Sequence, residues 1–295
     1  MEELQIEGKL HNPVLLRQTI EIIKPECDES YLDLTAGYGG HAEAFLSITK
    51  NYGGSVLVDR DAFAIQSLDR FKMLGAQLVN ESFLQAANEL VSAERRFDIV
   101  LMDIGVSSPQ LDHSDRGFSF GKAGPLDMRM DRRQSLSAHE VVNSWSVGEL
   151  EDIFVRYGEE KRAFARKVAE TTVASRPIDS TVQLAELIAG LSNRRQKIHP
   201  ATRIFQAIRI AVNDELGELA GTLKLLPKLL NAGGRVGVIS FHSLEDRLVK
   251  QYFKQQTSLG LESTFEAVTK KPISGSEHDT NPRARSAKLR VYRRR

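Results

Sequence analysis

Three acidic residues stand at the ends of short apolar runs: Asp33, Asp59 and Asp103. Each run is too short for a helix and fits a buried parallel strand, and the carboxyl ends of such strands meet at one edge of a sheet. The first run leads into the glycine-rich turn 37–41 and then into a predicted helix start. A turn without Cβ crowding, followed by a helix N-terminus, forms a crevice of nucleotide size. We therefore expect these carboxylates to line a site for a nucleotide-like ligand.

The glycine-rich turn alone does not choose the ligand. Gly37 to Ala42 fits the dinucleotide pattern G-x-G-x-x-A, and Asp59, 20 residues after Gly39, can accept hydrogen bonds from both ribose hydroxyls. An NAD-dependent dehydrogenase is therefore one alternative. Asp33 would repel a pyrophosphate beside the turn but attract an ammonium group. S-adenosylmethionine (SAM) carries an ammonium and a sulfonium and no phosphate, so Asp33 favours SAM, unless this residue only caps the loop.

The segment that follows the fourth apolar run is the candidate site for a methyl acceptor. It passes from Asp103 through Ser107 and Ser108 to Gln110, and its Ser-Pro resembles the Ser/Asp-Pro-Pro-aromatic loop of amino-group methyltransferases, from which Gln110 departs. The lone pair of an exocyclic cytosine amine is delocalised into the ring. Acceptors on its N–H bonds, from Asp103 or from the Ser107 and Ser108 carbonyls, would localise that pair and help to take up the leaving proton. We assign a catalytic role to these three residues as a hypothesis.

Two ring side chains near other strand ends have both a functional and a structural interpretation. Phe83 follows the third strand, where an adenine could lie against it, although a phenylalanine at such a place is otherwise part of the core. His242 ends a strand that we expect beside the one ending at Asp103, so it can face the same crevice. Ser243 with Asp246 predicts a capping box rather than a hydrolase site, because no G-x-S-x-G elbow is present.

The composition limits the class of protein. With 295 residues and 41% hydrophobic residues, the chain can form one large domain or two smaller ones. Its acidic start lacks a signal-peptide pattern, and no apolar run approaches the ~20 residues that span a bilayer, so we expect a cytoplasmic protein without a membrane partner. A single cysteine, Cys27, excludes a disulfide within the chain, and the scattered histidines lack zinc spacing, so we expect no metal.

The net charge of +1 conceals three clusters of basic residues. Such clusters suit a polyanion such as RNA, because each neutralised phosphate releases counterions. A solvated surface is the plainer interpretation, and a non-catalytic RNA-binding assembly factor is a third functional class. The clusters comprise Arg129, Arg132 and Arg133; Arg194, Arg195, Lys197 and Arg203; and Lys270, Lys271, Arg283, Arg285, Lys288, Arg290, Arg293, Arg294 and Arg295.

Strand and helix patterns alternate between residues 31 and 103, which predicts a parallel sheet with right-handed crossovers. From about 113 to 199 the pattern is helical, and a buried strand returns at 234–241. We therefore expect an α/β fold, a Rossmann-like SAM-dependent methyltransferase with a mostly parallel sheet and an inserted helical domain. The predicted domains are 1–112, the insertion 113–199 for substrate recognition, and 200–295 with a basic tail. Predicted strands are 31–34, 55–59, 77–80, 97–103, 234–241, 265–269 and 288–292; predicted helices are 40–48, 62–73, 83–94, 146–157, 159–174, 181–191, 201–219 and 244–255.

Several unusual strings occur together in this chain and resemble, over almost its whole length, the MraW family of 16S ribosomal RNA methyltransferases. The resemblance implies a bacterial enzyme that uses SAM to methylate N4 of a cytidine in the decoding centre of the small ribosomal subunit. The resemblance does not determine whether the protein is a monomer or a homodimer. The strings are His11-Asn12-Pro13-Val14-Leu15, the loop 33–41, the segment 103–112, Asp115-Arg116-Gly117-Phe118-Ser119-Phe120, Asp127-Met128-Arg129-Met130-Asp131, the segment 240–246 and Asn281-Pro282-Arg283-Ala284-Arg285-Ser286.

The resemblance also implies roles for particular residues. It makes the inserted lobe the substrate-recognition part, with Arg129, Arg132 and Arg203 as candidates for phosphate contacts. Gln110 is a cofactor contact that spacing alone does not single out. Together with Asp33 and Gly37, which the turn and its spacing indicate, the expected cofactor residues are Gly39, Gly40, His41, Asp59, Phe83, Asp103 and Gln110.

Overall fold

The computed structural model describes residues 13–192, 198–278 and 282–295. The strands are β1 (Tyr31–Asp33), β2 (Val56–Val58), β3 (Gln77–Val79), β4 (Phe97–Asp103), β5 (Leu230–Ser240), β6 (Phe265–Ala267), β7 (Ile273–Ser274) and β8 (Lys288–Arg294). The helices are α1 (Leu16–Ile23), α2 (Gly40–Thr49), α3 (Ala62–Ser67), α4 (Asp69–Met73), α5 (Phe83–Ser92), α6 (Ser108–Asp112), α7 (Ala138–Ser144), α8 (Val147–Arg156), α9 (Arg162–Ala174), α10 (Thr181–Gly190), α11 (Ala201–Asn213), α12 (Glu215–Leu229), α13 (Ser243–Thr257) and α14 (Gly275–His278).

The strands form one sheet in the order β3-β2-β1-β4-β5-β8-β6, with β7 also paired to β8. The pairs from β3 to β5 are parallel, whereas β8 runs antiparallel to β5, β6 and β7. Because β1 lies between β2 and β4, the strand order reverses there, and ligands bind at the carboxyl edge of such a switch point. The predicted α/β fold with a mostly parallel sheet is confirmed.

Both faces of the sheet are buried. In β2, Val56 and Val58 belong to one apolar cluster and Leu57 to another, and all three are fully buried. Successive side chains of a strand point to opposite faces, so this alternation requires helices on both sides. The continuous apolar runs in the sequence therefore arise from burial on two faces.

The chain divides into two compact units. One contains the sheet and comprises the residues up to Gly105 and from Glu218 onward; the other, Val106–Gly217, is the inserted part. The insertion was predicted over 113–199, and the unit is longer because it includes α6 and α11. Helix α11 belongs with the insertion because Ile204 and Ile208 are buried in the same cluster as Phe154 of α8. That cluster forms the core of the inserted unit.

Two of the predicted helices are broken in the structure. The predicted helix 62–73 is divided into α3 and α4 at Leu68, whose side chain is fully buried. The predicted helix 201–219 ends at Asn213, because Asp214 adopts a left-handed conformation with φ 47° before α12 begins. Helix α1 was not predicted. The final strands were expected at 265–269 and 288–292, and β6 and β8 confirm their positions.

Within the described ranges we find no helix with the length and apolar character that crossing a membrane requires.

Candidate functional site

Asp33, at the carboxyl end of β1, is a buried acid held by two hydrogen bonds. The Tyr31 hydroxyl donates to Oδ2 at 2.7 Å, and the Thr35 amide donates to Oδ1 at 3.1 Å. Burial raises the pKa of Asp33 to about 6, although both hydrogen bonds act in the opposite direction. The residue is 1% exposed. A carboxylate kept at such a place is costly by itself and is stabilised by a cation that binds next to it.

Asp59, which follows β2, lies against the glycine-rich turn. Its Oδ2 accepts the Gly37 amide at 2.8 Å and its Oδ1 accepts the Asp61 amide at 2.8 Å. Burial raises the pKa of Asp59 to about 6. A carboxylate offers about four acceptor positions, so two backbone bonds leave capacity for the hydroxyls of a ligand.

Each glycine of the turn is favoured for a different structural reason. Gly39 has φ 84°, and a Cβ there would lie 2.6 Å from the Phe71 ring; a Cβ on Gly40 would lie 2.4 Å from Pro13. In contrast, a Cβ on Gly37 would meet only the Thr35 carbonyl oxygen, at 3.9 Å, although its φ of 52° still favours glycine. Packing therefore requires glycine at positions 39 and 40, whatever ligand the turn receives.

His41 and Asp103 face each other across the switch point. His41 is the second residue of α2 and 5% exposed, and its Nε2 lies 3.6 Å from Asp103 Oδ2 at the end of β4. Within the described part of the chain, neither ring nitrogen of His41 nor Oδ1 of Asp103 has a hydrogen-bond partner. The Asp103 amide donates to the Thr35 hydroxyl at 2.6 Å, which fixes the end of β4 beside β1. Buried polar groups are almost always paired, so these atoms indicate a polar ligand.

Phe83 begins α5 and packs at the edge of the apolar cluster under the sheet. The Arg60 guanidinium lies 5.8 Å from the centre of its ring. Glu218 holds this arrangement, because its Oε2 lies 3.3 Å from Arg60 Nη2 and accepts the Leu84 amide at 3.2 Å. Sequence reasoning did not single out Arg60 or Glu218, since the start of α12, which carries Glu218, was not recognised.

The end of β5 lies beside the end of β4, as predicted, with Ile239 paired to Asp103. The residue that caps α13 is His242, not Ser243: its Nδ1 accepts the Glu245 amide at 3.4 Å, and Glu245 Oε2 accepts the His242 amide at 3.2 Å. The predicted capping box of Ser243 and Asp246 is therefore wrong by one residue. Asp246 instead pairs with Arg290 and Lys288 of β8, at 2.8 and 3.2 Å. Burial acts to raise the pKa of Asp246, but these two cations together hold it below its ordinary value.

Three predicted residues lie in the inserted unit, at the start of α6. Ser107 caps this helix and forms a capping box with Gln110, whose amide donates to Ser107 Oγ at 3.4 Å while its Oε1 accepts the Ser107 amide at 3.0 Å. Ser108 is the first residue of the helix. The Ser-Pro string thus forms a helix start, and the proposed roles of these residues toward ligands stay predictions.

The predicted RNA-binding arginines differ in what they contact. Arg129 Nε lies 2.6 Å from Asp127 Oδ1, and its Nη1 donates to the Gln134 carbonyl at 2.9 Å, so it holds its own loop together. Arg132 pairs with Asp115 at 3.1 Å. Arg203 has a 55% exposed side chain, 3.8 Å from Glu160. Exposed cations can bind phosphate, whereas Arg129 is already committed to backbone and carboxylate partners. The basic residues 194, 195 and 197 lie outside the described residues.

The basic end of the chain is part of the sheet. Arg290 in β8 is 9% exposed and pairs with Asp246, and Arg293 lies 3.3 Å from Glu266 of β6. Arg294 donates to the Leu230 carbonyl. Most of the expected basic tail therefore belongs to the predicted final strand, which extends over Lys288–Arg294 and lies inside the sheet.

The carboxyl edge of the sheet fits the expected cofactor. Asp33 offers a buried negative charge, and Asp59 offers acceptors next to Gly37. His41 and Asp103 present polar atoms that have no hydrogen-bond partner within residues 13–192, 198–278 and 282–295. SAM has a cationic amino-acid head and ribose hydroxyls that match the first two. The Gly37 amide already donates to Asp59, which removes a donor that a pyrophosphate would use.

Known proteins that are similar to this chain are methyltransferases. The model of the MraW methylase family matches residues 8–295. The chain is 44% identical over 294 residues to the ribosomal RNA small subunit methyltransferase H of Crocosphaera subtropica, covering 97% of this chain and 89% of that one. The protein of the same name from Cyanothece sp. is 46% identical over 288 residues, with 97% and 95% covered. That from Acidobacterium capsulatum is 42% identical over 298 residues, with 97% and 99% covered.

Proposed function

The chain belongs to the MraW methylase family, and from this premise we propose that it methylates N4 of a cytidine in the decoding centre of 16S ribosomal RNA. It is a methyltransferase of small-subunit ribosomal RNA. The observation that carries the proposal for the acceptor is Asp103, a mostly buried acid whose Oδ1 has no hydrogen-bond partner among the described residues, at the switch point of the sheet.

The cofactor is S-adenosylmethionine, which supplies the methyl group when bound. Asp33 attracts its ammonium group, because a buried carboxylate gains most from a cation placed beside it. Asp59 accepts hydrogen bonds from the ribose hydroxyls with the acceptor positions that Gly37 and Asp61 leave free. Phe83, flanked by Arg60, provides an apolar surface for the adenine.

Asp103 acts on the amine that receives the methyl group. Its unpaired Oδ1 accepts one N–H bond, which localises the nitrogen lone pair, and the carboxylate takes up the proton that the nitrogen loses as the N–CH₃ bond forms. From the sequence we also propose that Ser107 and Ser108, which follow Asp103 by four and five residues, accept an N–H of the amine through their backbone carbonyls. Oxygen acceptors suit methylation of an exocyclic amine, which carries two N–H bonds. They do not suit methylation of a ring carbon, which carries none.

Two other functions are less well supported. An NAD-dependent dehydrogenase needs donors for a pyrophosphate, but the Gly37 amide is bound to Asp59, and the charge of Asp33 would repel phosphate. A non-catalytic RNA-binding assembly factor does not require a buried acid with an unpaired oxygen. Leaving such a group unpaired in the free protein costs on the order of 1–3 kcal/mol, which a binding surface alone gives no reason to retain.

The test is the chemical identity of the product. The purified chain receives SAM with a labelled methyl group and either small subunits or naked 16S RNA from cells that lack the modification. We expect label in one decoding-centre oligonucleotide, and nuclease digestion followed by mass spectrometry should identify N4-methylcytidine. At saturating SAM, Asp103→Asn should lose about 100-fold or more in turnover. Label on a ring carbon or another base, or near-normal turnover of Asp103→Asn, would contradict the proposal.

A further inference from the structure

Three rings in the inserted unit form a column from its core to its surface, which we call the aromatic column: Phe205, Phe120 and His199. Phe205 is 4% exposed and belongs to the core of this unit. Phe120 meets it edge to face with ring centres 4.9 Å apart, and His199 lies over Phe120 with centres 4.8 Å apart and planes inclined by 34°. His199 is exposed, and Phe120 is half-buried. The outermost ring therefore rests on a rigid support.

The imidazole of His199 is fixed in orientation as well as in position. Its Nδ1 accepts the Ala201 amide at 3.2 Å, next to the start of α11. A neutral imidazole carries its proton on the other nitrogen when one nitrogen accepts, so Nε2–H is a donor. An exposed ring with two constraints loses little conformational entropy on binding a flat partner.

Two exposed cations lie close to the rings of the column in the sequence. Arg203 lies in the first turn of α11, two residues after the helix begins, and more than half of its side chain is exposed. Lys122, two residues after Phe120, is exposed. Glu160, at 3.8 Å from Arg203, is the acid that partly offsets this charge. Cations beside an exposed ring are the combination that single-stranded nucleic acids bind, through their phosphates and the faces of their bases.

We propose that the aromatic column is a stacking site for an unpaired base of the RNA substrate, with His199 as the stacking ring and Arg203 and Lys122 beside the adjoining phosphates. This rests on the proposed function in so far as the substrate is RNA. An enzyme that reaches an exocyclic amine must have its target base out of the stack, and the nucleotides that flank it then need support. The column would give such support to an unpaired base of the substrate without reading its sequence.

Binding to a fluorescent RNA tests the column directly. The probe is a single-stranded oligonucleotide of the decoding-centre sequence with 2-aminopurine at positions flanking the target cytidine, whose fluorescence falls when it stacks. We expect quenching by the wild-type chain, and a Kd about 5- to 150-fold weaker for His199→Ala, because base stacking on a ring contributes about 1–3 kcal/mol. His199→Phe keeps the ring and should bind as the wild type does. His139→Ala, an exposed histidine of the same unit, is the matched control.

Kinetics provide the second measurement. His199→Ala should raise the KM for RNA by a similar factor with little change in kcat, while the Kd for SAM stays constant. Absence of quenching by the wild-type chain, or a His199→Ala variant that binds as His139→Ala does, would overturn the proposal. A His199→Phe variant as weak as His199→Ala would overturn it too, since stacking then would not be the cause. If the wild-type chain methylates another base, the proposed function fails while oligonucleotide quenching still decides on the column.

Discussion

At the scale of single residues, the roles proposed for Asp33 and Asp59 would make cofactor binding depend on pH. Burial raises both pKa values to about 6, so both carboxyls take up protons as the pH falls from 7 to 5. A neutral carboxyl no longer attracts an ammonium group. We expect the Kd for SAM to be nearly constant between pH 7 and 8 and to rise steeply below about pH 6, with proton release on binding near pH 6. Calorimetry in buffers of different ionisation enthalpy measures both.

The same two residues affect the stability of the free protein with the opposite sign. Between about pH 4 and pH 6 the folded chain holds more protons on them than the unfolded chain does, so their contribution to stability is present at low pH and decreases as the pH rises through that window. Above pH 6, where both carboxyls are charged, bound SAM should offset the stability that the free protein loses. Asp33→Asn should bind SAM weakly at every pH and show less pH dependence. A constant wild-type Kd from pH 5 to 8 would contradict the assignment of both carboxylates.

The sequence alone could predict only those residues of the site that lie at the ends of strands. Asp33, Asp59 and Asp103 were predictable because an acid after an apolar run lies at the carboxyl edge of a parallel sheet. His41 was expected only through family resemblance, since its approach to Asp103 depends on how α2 is placed. Phe83 was predicted, but its neighbour Arg60 was not, because the partner Glu218 is distant in the sequence.

At the scale of elements, the sequence predicts strands better than helix ends. Strand β4 has the predicted bounds because its run is apolar and is bounded by charged residues. The break at Asp214 could not be predicted, because it depends on a left-handed residue in a sequence that otherwise continues a helical pattern. Helix α12 was missed since Gly217, Gly221 and Pro227 weaken its helical pattern, and tertiary packing outweighs that low propensity.

Because the basic residues 288–294 form strand β8, deleting the end of the chain affects the stability of the sheet as well as RNA binding. Deletion of residues 293–295 removes the strand pairing of Arg293 with Arg235 of β5 and of Arg294 with Phe265 of β6. We expect this deletion to lower the free energy of unfolding by on the order of a few kcal/mol, because several backbone hydrogen bonds are lost. Arg293→Gln, which removes one exposed ion pair, should cost less than about 1 kcal/mol. Urea unfolding of both variants compares them.

These two variants separate fold from charge. A weaker RNA complex of the truncated chain would report the loss of an inner strand, whereas a weaker complex of Arg293→Gln would report a phosphate contact, with a smaller salt dependence. Equal stability of the truncated and full-length chains would show that the end of β8 contributes nothing to the sheet.

At the scale of the whole molecule, the apolar clusters follow the division into two units. Among the described residues, all buried members of the apolar cluster that forms the core of the inserted unit lie between Phe118 and Val212. The two apolar clusters on the faces of the sheet contain only residues before Gly105 or after Glu218. A unit with its own closed core has the main requirement for folding alone. The insertion is thus organised as a second folding unit within the sheet-bearing one.

The fragment Val106–Gly217 should therefore fold when expressed by itself. We expect a helical circular dichroism spectrum, a single cooperative urea transition and dispersed amide resonances, because the core that includes Phe154 and Ile208 is complete within it. The fragment should not bind SAM, since Asp33, Asp59 and Asp103 lie in the other unit. It should retain quenching of the 2-aminopurine oligonucleotide, because His199 and its supporting rings are all present. A fragment that binds hydrophobic dyes and unfolds without cooperativity would show that its core needs the sheet-bearing unit.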